Sequence, residues 1–358
     1  MTATTKEKIQ AFAKLGSYLK ALIANNMKAV SPLEIQVDQK ENFAKLQDDL
    51  LNFYAHSTHH NAWFTADNVL FSLKEWSIAL QEESLNNWLK NYDFPPQQKD
   101  KTIGIVMAGN LPLVGFHDYL CVIMSNYTLL AKLSSDDAFL LPVLHEMISI
   151  FEPKLQSKAH FTKDQLKGFD AIIATGSDNT ARYFEYYFSK YPHIIRKNRS
   201  GVAVLSGEET TQELKALADD MLTYFGLGCR SVSKLYVPKN YEFKKFFQLL
   251  EDYSPLAHHS KFFNNYEYNK AIYLVNKNSH RDTGFLLFTE NTAMSSPIAV
   301  VYYEEYEDTN LLHKQLNMRS EEIQCIVGPS FLNFGETQHP KLHDYADGID
   351  TMDFLLKL

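Results

Sequence analysis

Apolar side chains recur every three or four positions through the first hundred residues. Ile9, Phe12, Leu15, Leu19 and Leu22 form one series, and Phe43, Leu46, Leu50, Leu51 and Phe53 another, which is the spacing of one helix face. Thr65 with Asp67 and Asn68 reads as a helix start leading into VLFSLKEWSIAL. Pro95 and Pro96 in YDFPPQQKDK interrupt the pattern as a linker. Short β-rich runs follow, KTIGIVMAGN, TLLAKLSS, DAIIATGS and GVAVLSG. They are separated by helical stretches: PLVGFHDYLCVIMSN, then DDAFLLPVLHEMISIF opened by Asp136 and Asp137, then NTARYFEYYFSKY. This alternation predicts a parallel sheet with helices on both faces, and such sheets bind ligands beyond the carboxyl ends of their strands. Asn110, Ser134 and Gly176 fall at those ends. A further helix, turn and strand, ELKALADDMLTYFGLGCRSVSKLYVP, opens a second α/β region that runs through FLLFTE, PIAVVYYEEY and EIQCIVG. The expected divisions are 1–100, mostly helical; 101–205 and 206–335, two α/β domains; and 336–358, an acidic, aromatic tail.

Composition narrows the function classes. With 45% hydrophobic and 22% charged residues, the 358-residue chain is too apolar for disorder and too charged for a membrane bundle. A net charge of −8 argues against a general nucleic-acid surface while leaving room for a local basic pocket. No window supplies the ~18 uninterrupted apolar residues of a spanning helix, and the lysine-bearing N-terminus reads as a helix of the mature protein rather than an export signal. Three cysteines, at 121, 229 and 325, are too few and too scattered for a disulfide scaffold or a zinc cluster, so no metal is expected. A reducing cytoplasm is the expected compartment.

Cys229 stands in FGLGCRSVSKLYV between Gly226, Gly228 and Arg230. Glycines permit close ligand approach and a neighbouring cation favours thiolate, so Cys229 is a candidate nucleophile; the other reading is a small buried hydrophobe. Cys121 and Cys325, in apolar runs, read as core. Asn110, in AGNLP at a strand end, is either a turn residue or a donor to a developing oxyanion. Gly176-Ser177, between strand and helix, can receive a phosphate at a helix N-terminus. His56, His59 and His60 have helical spacing, but without a nearby carboxylate or thiol they read as a solvated turn rather than a metal site. His258 and His259 read either as a base for Cys229 or as surface. The aromatic run RYFEYYFSKY reads as core and interface, and the EYED run near 305 as a solvated face.

Together VMAGNLPLVGFHDYLCVI, LLAKLSSDD, ATGSDNTARYFEYYF, FGLGCRSVSKLYVP, FNNYEYNKAIYLVN and DYADGIDTMDFL resemble the LuxC-type acyl-CoA reductases, a branch of the aldehyde dehydrogenase superfamily. The resemblance implies an aldehyde dehydrogenase-like fold, with two Rossmann-like three-layer α/β/α domains and a helical N-terminal region packed on the cofactor domain. It makes 101–205 the dinucleotide-binding domain and 206–335 the catalytic domain. It implies Cys229 as the acylated nucleophile and Asn110 as the oxyanion donor. Lys132, Ser134, Ser135, Gly176 and Ser177 would contact the cofactor.

Three departures from the superfamily refine this. Ser135 replaces a Glu that grips the ribose 2′-OH, which favours NADPH, although Asp136 is adjacent. Ile195 stands where a water-activating Glu is expected, which disfavours hydrolysis of a thioester. Ala293 stands where a second ribose-binding Glu is expected. The implied reaction is NADPH-dependent reduction of a fatty acyl-CoA, or an acyl-protein thioester, to the fatty aldehyde. The alternatives are a cysteine acyltransferase or thioesterase using Cys229 with His258 or His259, and a non-catalytic partner subunit. Superfamily members are usually homo-oligomers, often through an extra β-hairpin; no clear hairpin is visible in this sequence, which leaves assembly open.

Overall fold

The computed structural model describes residues 2–31, 35–95, 100–176 and 178–358, which divide into two compact units. The first comprises residues 1–197 and 341–358, the second residues 198–340. Pro96 of the expected linker and Ser177 lie outside the described residues.

Four helices open the first unit: α1 (Thr5–Ala24), α2 (Lys40–His60), α3 (Ala66–Ala79) and α4 (Glu82–Leu89). Thr4 and Glu7 form a reciprocal capping box that satisfies two N–H groups at the start of α1. The inward face of α1 buries Phe12, Leu15, Leu19 and Leu22 completely, and full burial of a side chain of this kind contributes about 1.5–3 kcal/mol. Lys8 is buried on the same helix. Its ammonium donates to the carbonyls of Ile123 and Met124 at 3.1 and 2.6 Å and to Asn126 Oδ1 at 2.8 Å, and burial pulls its pKa down to about 7.

The sheet of this unit alternates strands and helices: β1 (Thr102–Val106), α5 (Phe116–Met124), β2 (Thr128–Lys132), α6 (Leu140–Phe151), β3 (Ala159–Thr162), β4 (Ala171–Thr175), α7 (Asp178–Phe188) and β5 (His193–Arg196). All its strands are parallel, in the order β3-β2-β1-β4-β5. Strand order therefore reverses between β1 and β4, the place where sheets of this kind bind ligands beyond the carboxyl ends of their strands. Helix α6 starts at Leu140, and Phe139 gives it no side-chain cap. Asp137, one of the two acidic residues expected to open this helix, accepts the backbone N–H of Leu140 at its start as well as that of Leu113 at 2.9 Å. On α7 the aromatic run divides. Phe188 packs on Phe169, whereas Tyr183, Tyr186 and Tyr187 are exposed, so most of its tyrosines are not core.

The second unit contains β6 (Ser200–Val204), α8 (Thr211–Leu222), β7 (Val232–Pro238), α9 (Lys244–Leu250), α10 (Ser260–Asn276), β8 (Arg281–Asp282), β9 (Leu287–Glu290), β10 (Val300–Tyr306), α11 (Thr309–Met318) and β11 (Ile323–Val327). Its sheet has the order β11-β6-β7-β10-β9-β8. β6 lies between β11 and β7. GVAVLSG therefore does not close the first α/β domain as its position in the chain implied, and the boundary falls at 197/198 rather than 205/206. β8 and β9 pair antiparallel, a short hairpin the sequence did not reveal. On β7 the fully buried Lys234 pairs with Glu304 of β10 at 2.6 Å.

The tail is also divided. Residues up to Pro340 stay with the second unit, while 341–358, with the short helix α12 (Thr351–Leu356), return to the first. There Arg196 forms a buried two-pronged pair with Asp118, at 2.5 and 2.8 Å, and donates to Thr351 Oγ1 at 2.9 Å. Tyr345 accepts from Trp88 Nε1 at 2.7 Å, and Tyr92 donates to Asp350 at 2.8 Å. Among the described residues no helix is long and apolar enough to cross a membrane.

Candidate active site

In the first unit the end of β2 and the loops after β1, β2 and β4 carry five of the expected residues. Asn110 is exposed on the loop that leads from β1 into α5. That loop is fixed from below. Asn61 donates to the carbonyl of Gly109 at 3.3 Å, Ser72 to that of Pro112 at 2.9 Å, and Asp137 holds Leu113, whose φ of +59° is the left-handed region. Burial raises the Asp137 carboxyl to about 6, and its Oδ1 has no hydrogen-bond partner among the described residues. Gly109 lies flush against the β2 loop, where a Cβ at this position would fall 2.4 Å from Ser134 Oγ. Only glycine lets the two loops meet.

Lys132 ends β2, half-buried, and no hydrogen bond or ion pair engages its ammonium among the described residues. Ser134 is half-buried and accepts the N–H of Asp136 at 3.2 Å, while Ser135 is exposed. Gly176 closes β4 just before α7. A Cβ there would approach Thr180 to 3.0 Å and Phe184 to 3.1 Å, so the missing side chain lets α7 start close to the strand end. A cation beside β1, hydroxyls on the next loop and a helix N-terminus at the strand-order reversal are groups that suit a dinucleotide pyrophosphate. The structure thus groups Asn110, Lys132, Ser134, Ser135 and Gly176 at one end of one sheet. Ile195 lies half-buried on the edge strand β5.

Cys229 belongs to the second unit. Cys121 and Cys325 are buried, and Cys229 is exposed. It sits before the amino end of β7, not at a carboxyl end. The segment leading to it is wound the wrong way: Tyr224, Phe225 and Gly226 take φ values of +55°, +59° and +74°. The left-handed region costs an ordinary residue about 1–2 kcal/mol, and burial of the Tyr224 and Phe225 side chains offsets it. Phe225 packs against His259, 4.3 Å between ring centroids, and against Phe262 at 5.8 Å. His259 Nδ1 accepts the N–H of Phe262, capping α10. The sequence left that ring as base or surface; the structure gives it a helix-capping position.

Gly228 to Ser231 then form a tight turn with Cys229 and Arg230 at its centre. Ser231 N–H donates to the Gly228 carbonyl at 3.0 Å, and Gly228 N–H donates to Ser231 Oγ at 3.2 Å. Arg230 Nε donates to the carbonyl of Thr337 at 2.6 Å, so its guanidinium has a structural partner besides any effect on the thiol. Thr337, Gln338 and Asp220, all buried, surround this turn and were missed in the sequence. Polar residues in an irregular loop carry no periodic signal.

Elsewhere, His60 stacks on Phe139 and His56 Nδ1 lies 3.0 Å from the Asn52 carbonyl; no three metal-ligating side chains converge among the described residues. A cavity of about 350 Å3, lined by Ser206, Glu208, Glu209, Glu213 and Phe331 among others, lies at the carboxyl ends of β6 and β11, opposite the Cys229 end of this sheet.

A family model of acyl-CoA reductases, LuxC, matches residues 37–253. No curated protein matches the chain. Among solved structures the chain is similar to a putative aldehyde dehydrogenase, PutA, from Anabaena variabilis, at 12% identity over 88% of this chain and 78% of that one, with a TM-score of 0.55. It is similar to aldehyde dehydrogenase 21 from Physcomitrella patens at 13% identity over 88% and 76%, TM-score 0.56. It is also similar to the indole-3-acetaldehyde dehydrogenase AldA of P. syringae, solved with NAD+, at 12% identity over 87% and 74%, TM-score 0.53. The fold is aldehyde dehydrogenase-like.

Proposed function

The chain belongs to the acyl-CoA reductase (LuxC) family, and from that premise we propose that it reduces a fatty acyl thioester to the fatty aldehyde with NADPH, through an acyl-enzyme on Cys229. The observation that carries this reading is the contrast among the three cysteines. Only Cys229 is exposed, on a hydrogen-bonded turn held at both ends, and it falls within the family-matched segment.

In this proposal the Cys229 thiolate attacks the acyl carbonyl and the S–C bond to coenzyme A breaks, releasing its thiolate. The Asn110 amide and the Cys229 backbone N–H donate to the oxyanion, each worth about 10²–10³ in rate. Lys132 holds the adenosine ribose of the cofactor, with Ser134 and Ser135 beside it, and the start of α7 after Gly176 receives the pyrophosphate. Ser135 in place of a carboxylate leaves room for a 2′-phosphate. When bound, the nicotinamide supplies the hydride that takes the acyl-enzyme to the aldehyde level. The thiohemiacetal on Cys229 then collapses, and the thiolate is regenerated. Ile195 supports reduction over hydrolysis, since a β-branched hydrocarbon cannot activate water.

The test is loss of NADPH absorbance with acyl-CoAs of graded length, with Cys229→Ala as the control. Acyl-CoA-dependent oxidation that Cys229→Ala abolishes is expected; activity persisting in that variant sinks the mechanism. Coenzyme A release without NADPH consumption would instead indicate a thioesterase.

A further inference from the structure

We propose that Thr337 and Gln338, keyed to α8 through Asp220, form a clamp that positions Cys229 for acylation. The inference rests on the reading of Cys229 as nucleophile and adds residues to it.

Asp220 is 1% exposed, and its carboxylate is spent on one loop. It accepts the N–H of Gly335 at 2.6 Å, the N–H of Thr337 at 3.0 Å and the hydroxyl of Thr337 at 2.7 Å. Charge-assisted bonds of this kind are about twice as strong as neutral ones and fix the loop on the helix. From there two contacts reach the Cys229 turn. The Thr337 carbonyl accepts Arg230 Nε at 2.6 Å, and Gln338 Nε2 donates to Ser231 Oγ at 3.3 Å and to Thr337 Oγ1 at 3.3 Å.

Ser231 Oγ is the hinge of the arrangement, because the same oxygen accepts the N–H of Gly228. Its other side is also held: the Ser231 carbonyl accepts the N–H of Gly201 on β6 at 3.1 Å, and Cys325 Sγ donates to the Arg230 carbonyl at 3.6 Å. Arg230 and Ser231, the two residues after Cys229, are therefore bonded to three separate elements, and Gly228 before it is tied to Ser231, while Cys229 itself is exposed at the tip. Ordinary solubility or packing does not require a buried Thr-Gln pair here. A nucleophile that must meet a carbonyl within a few tenths of an ångström does, since a misplacement of about 1 Å costs about 10²-fold in rate.

The experiment compares acylation with alkylation of the same sulfur. Thr337→Val and Gln338→Ala full-length proteins are mixed with the acyl-CoA that the wild type turns over fastest. Cys229 acylation is followed by quenched-flow mass spectrometry. In parallel Cys229 is alkylated with iodoacetamide, which needs an accessible thiolate but no oxyanion alignment. Acylation is expected to fall at least about 10-fold in both variants, with alkylation within about threefold of wild type. KM for NADPH should be unchanged, and Thr337→Ser, which restores the hydroxyl, should recover acylation to within about threefold. Acylation at the wild-type rate in both variants overturns the clamp. Acylation and alkylation falling together with the melting temperature also overturn it, by showing a general packing role. A wild-type protein never acylated at Cys229 overturns the underlying reading of Cys229, a result distinguishable from the other two.

Discussion

Substituting Gly109 by alanine tests whether the loop bearing Asn110 must sit where it does. The new Cβ would lie 2.4 Å from Ser134 Oγ and 2.5 Å from Ser134 Cβ. Carbon atoms in ordinary contact stand about 3.5 Å apart, so the two loops must separate by about 1 Å. Ser134 Cβ is part of a short, half-buried side chain and cannot swing aside. The Asn110 side has little freedom either, because Asn61, Ser72 and Asp137 hold its loop. Overpacking of this size costs about 1–3 kcal/mol of stability. A displacement of about 1 Å at an oxyanion donor costs up to about 10²-fold in turnover. The assay is acyl-CoA-dependent NADPH oxidation beside a urea melt. Gly109→Ala should lose 10- to 100-fold in kcat, at about that scale, while remaining folded. Adding Ser134→Gly, which removes both clashing atoms, should restore most of it. A Gly109→Ala enzyme within about threefold of wild-type kcat would refute the argument, either in the role of Asn110 or in the rigidity of its loop.

Other perturbations address stability and pH. Asp118→Ala strands the buried Arg196, whose Nε already lacks a partner among the described residues; the loss of about 3–5 kcal/mol expected from breaking a buried pair should appear in urea melts, and a loss below about 1 kcal/mol would contradict it. The double variant Asp118→Leu with Arg196→Met should recover most of that loss, since neither charge is then left buried. Asp137 gives a pH signature. Its native carboxyl keeps its proton up to about pH 6, whereas in the unfolded chain it loses it near the ordinary aspartate value of 3.8. The native state therefore binds more protons across that window, and raising the pH through it should destabilise wild type relative to Asp137→Asn by on the order of 2–3 kcal/mol. A flat difference between the two proteins from pH 4 to 6.5 would count against this.

Helical periodicity made the first helices legible, and the β-rich runs KTIGIVMAGN, TLLAKLSS and DAIIATGS located β1, β2 and β4 of the first sheet. What the sequence concealed has physical causes. Ser200–Val204 reads like the strands before it because burial on both faces produces the same apolar run in either sheet, and pairing partners leave no mark on composition. The acidic residues Asp136 and Asp137 look like a helix cap from spacing alone. Only the packed loop shows that Asp137 also reaches back to Leu113, besides meeting Leu140 at the helix start. Asn110, Ser134 and Gly176 could be placed at strand ends because strand-end position is itself a local pattern, Cys229 stood out because glycines flank it, and Lys132 entered only through the family resemblance. Gly109 as a contact between loops, and Asp220, Thr337 and Gln338 around the cysteine turn, depend on residues up to 117 positions apart. No local window contains them.

The route of the chain sets an order of assembly. Arg196, the last residue of β5, bonds to Thr351, and Trp88 to Tyr345, so the first unit is stitched to residues made after the whole of 198–340. At about 5–20 residues per second of synthesis, the nascent first unit waits roughly 7–30 s with Arg196 and Trp88 short of partners. The second unit is continuous in sequence, so all of its own residues have been made once Pro340 is added. Shortening the chain before Tyr345 should therefore damage the half made earliest, and a nascent chain remains vulnerable to proteolysis in its oldest part until its last turn of helix is in place.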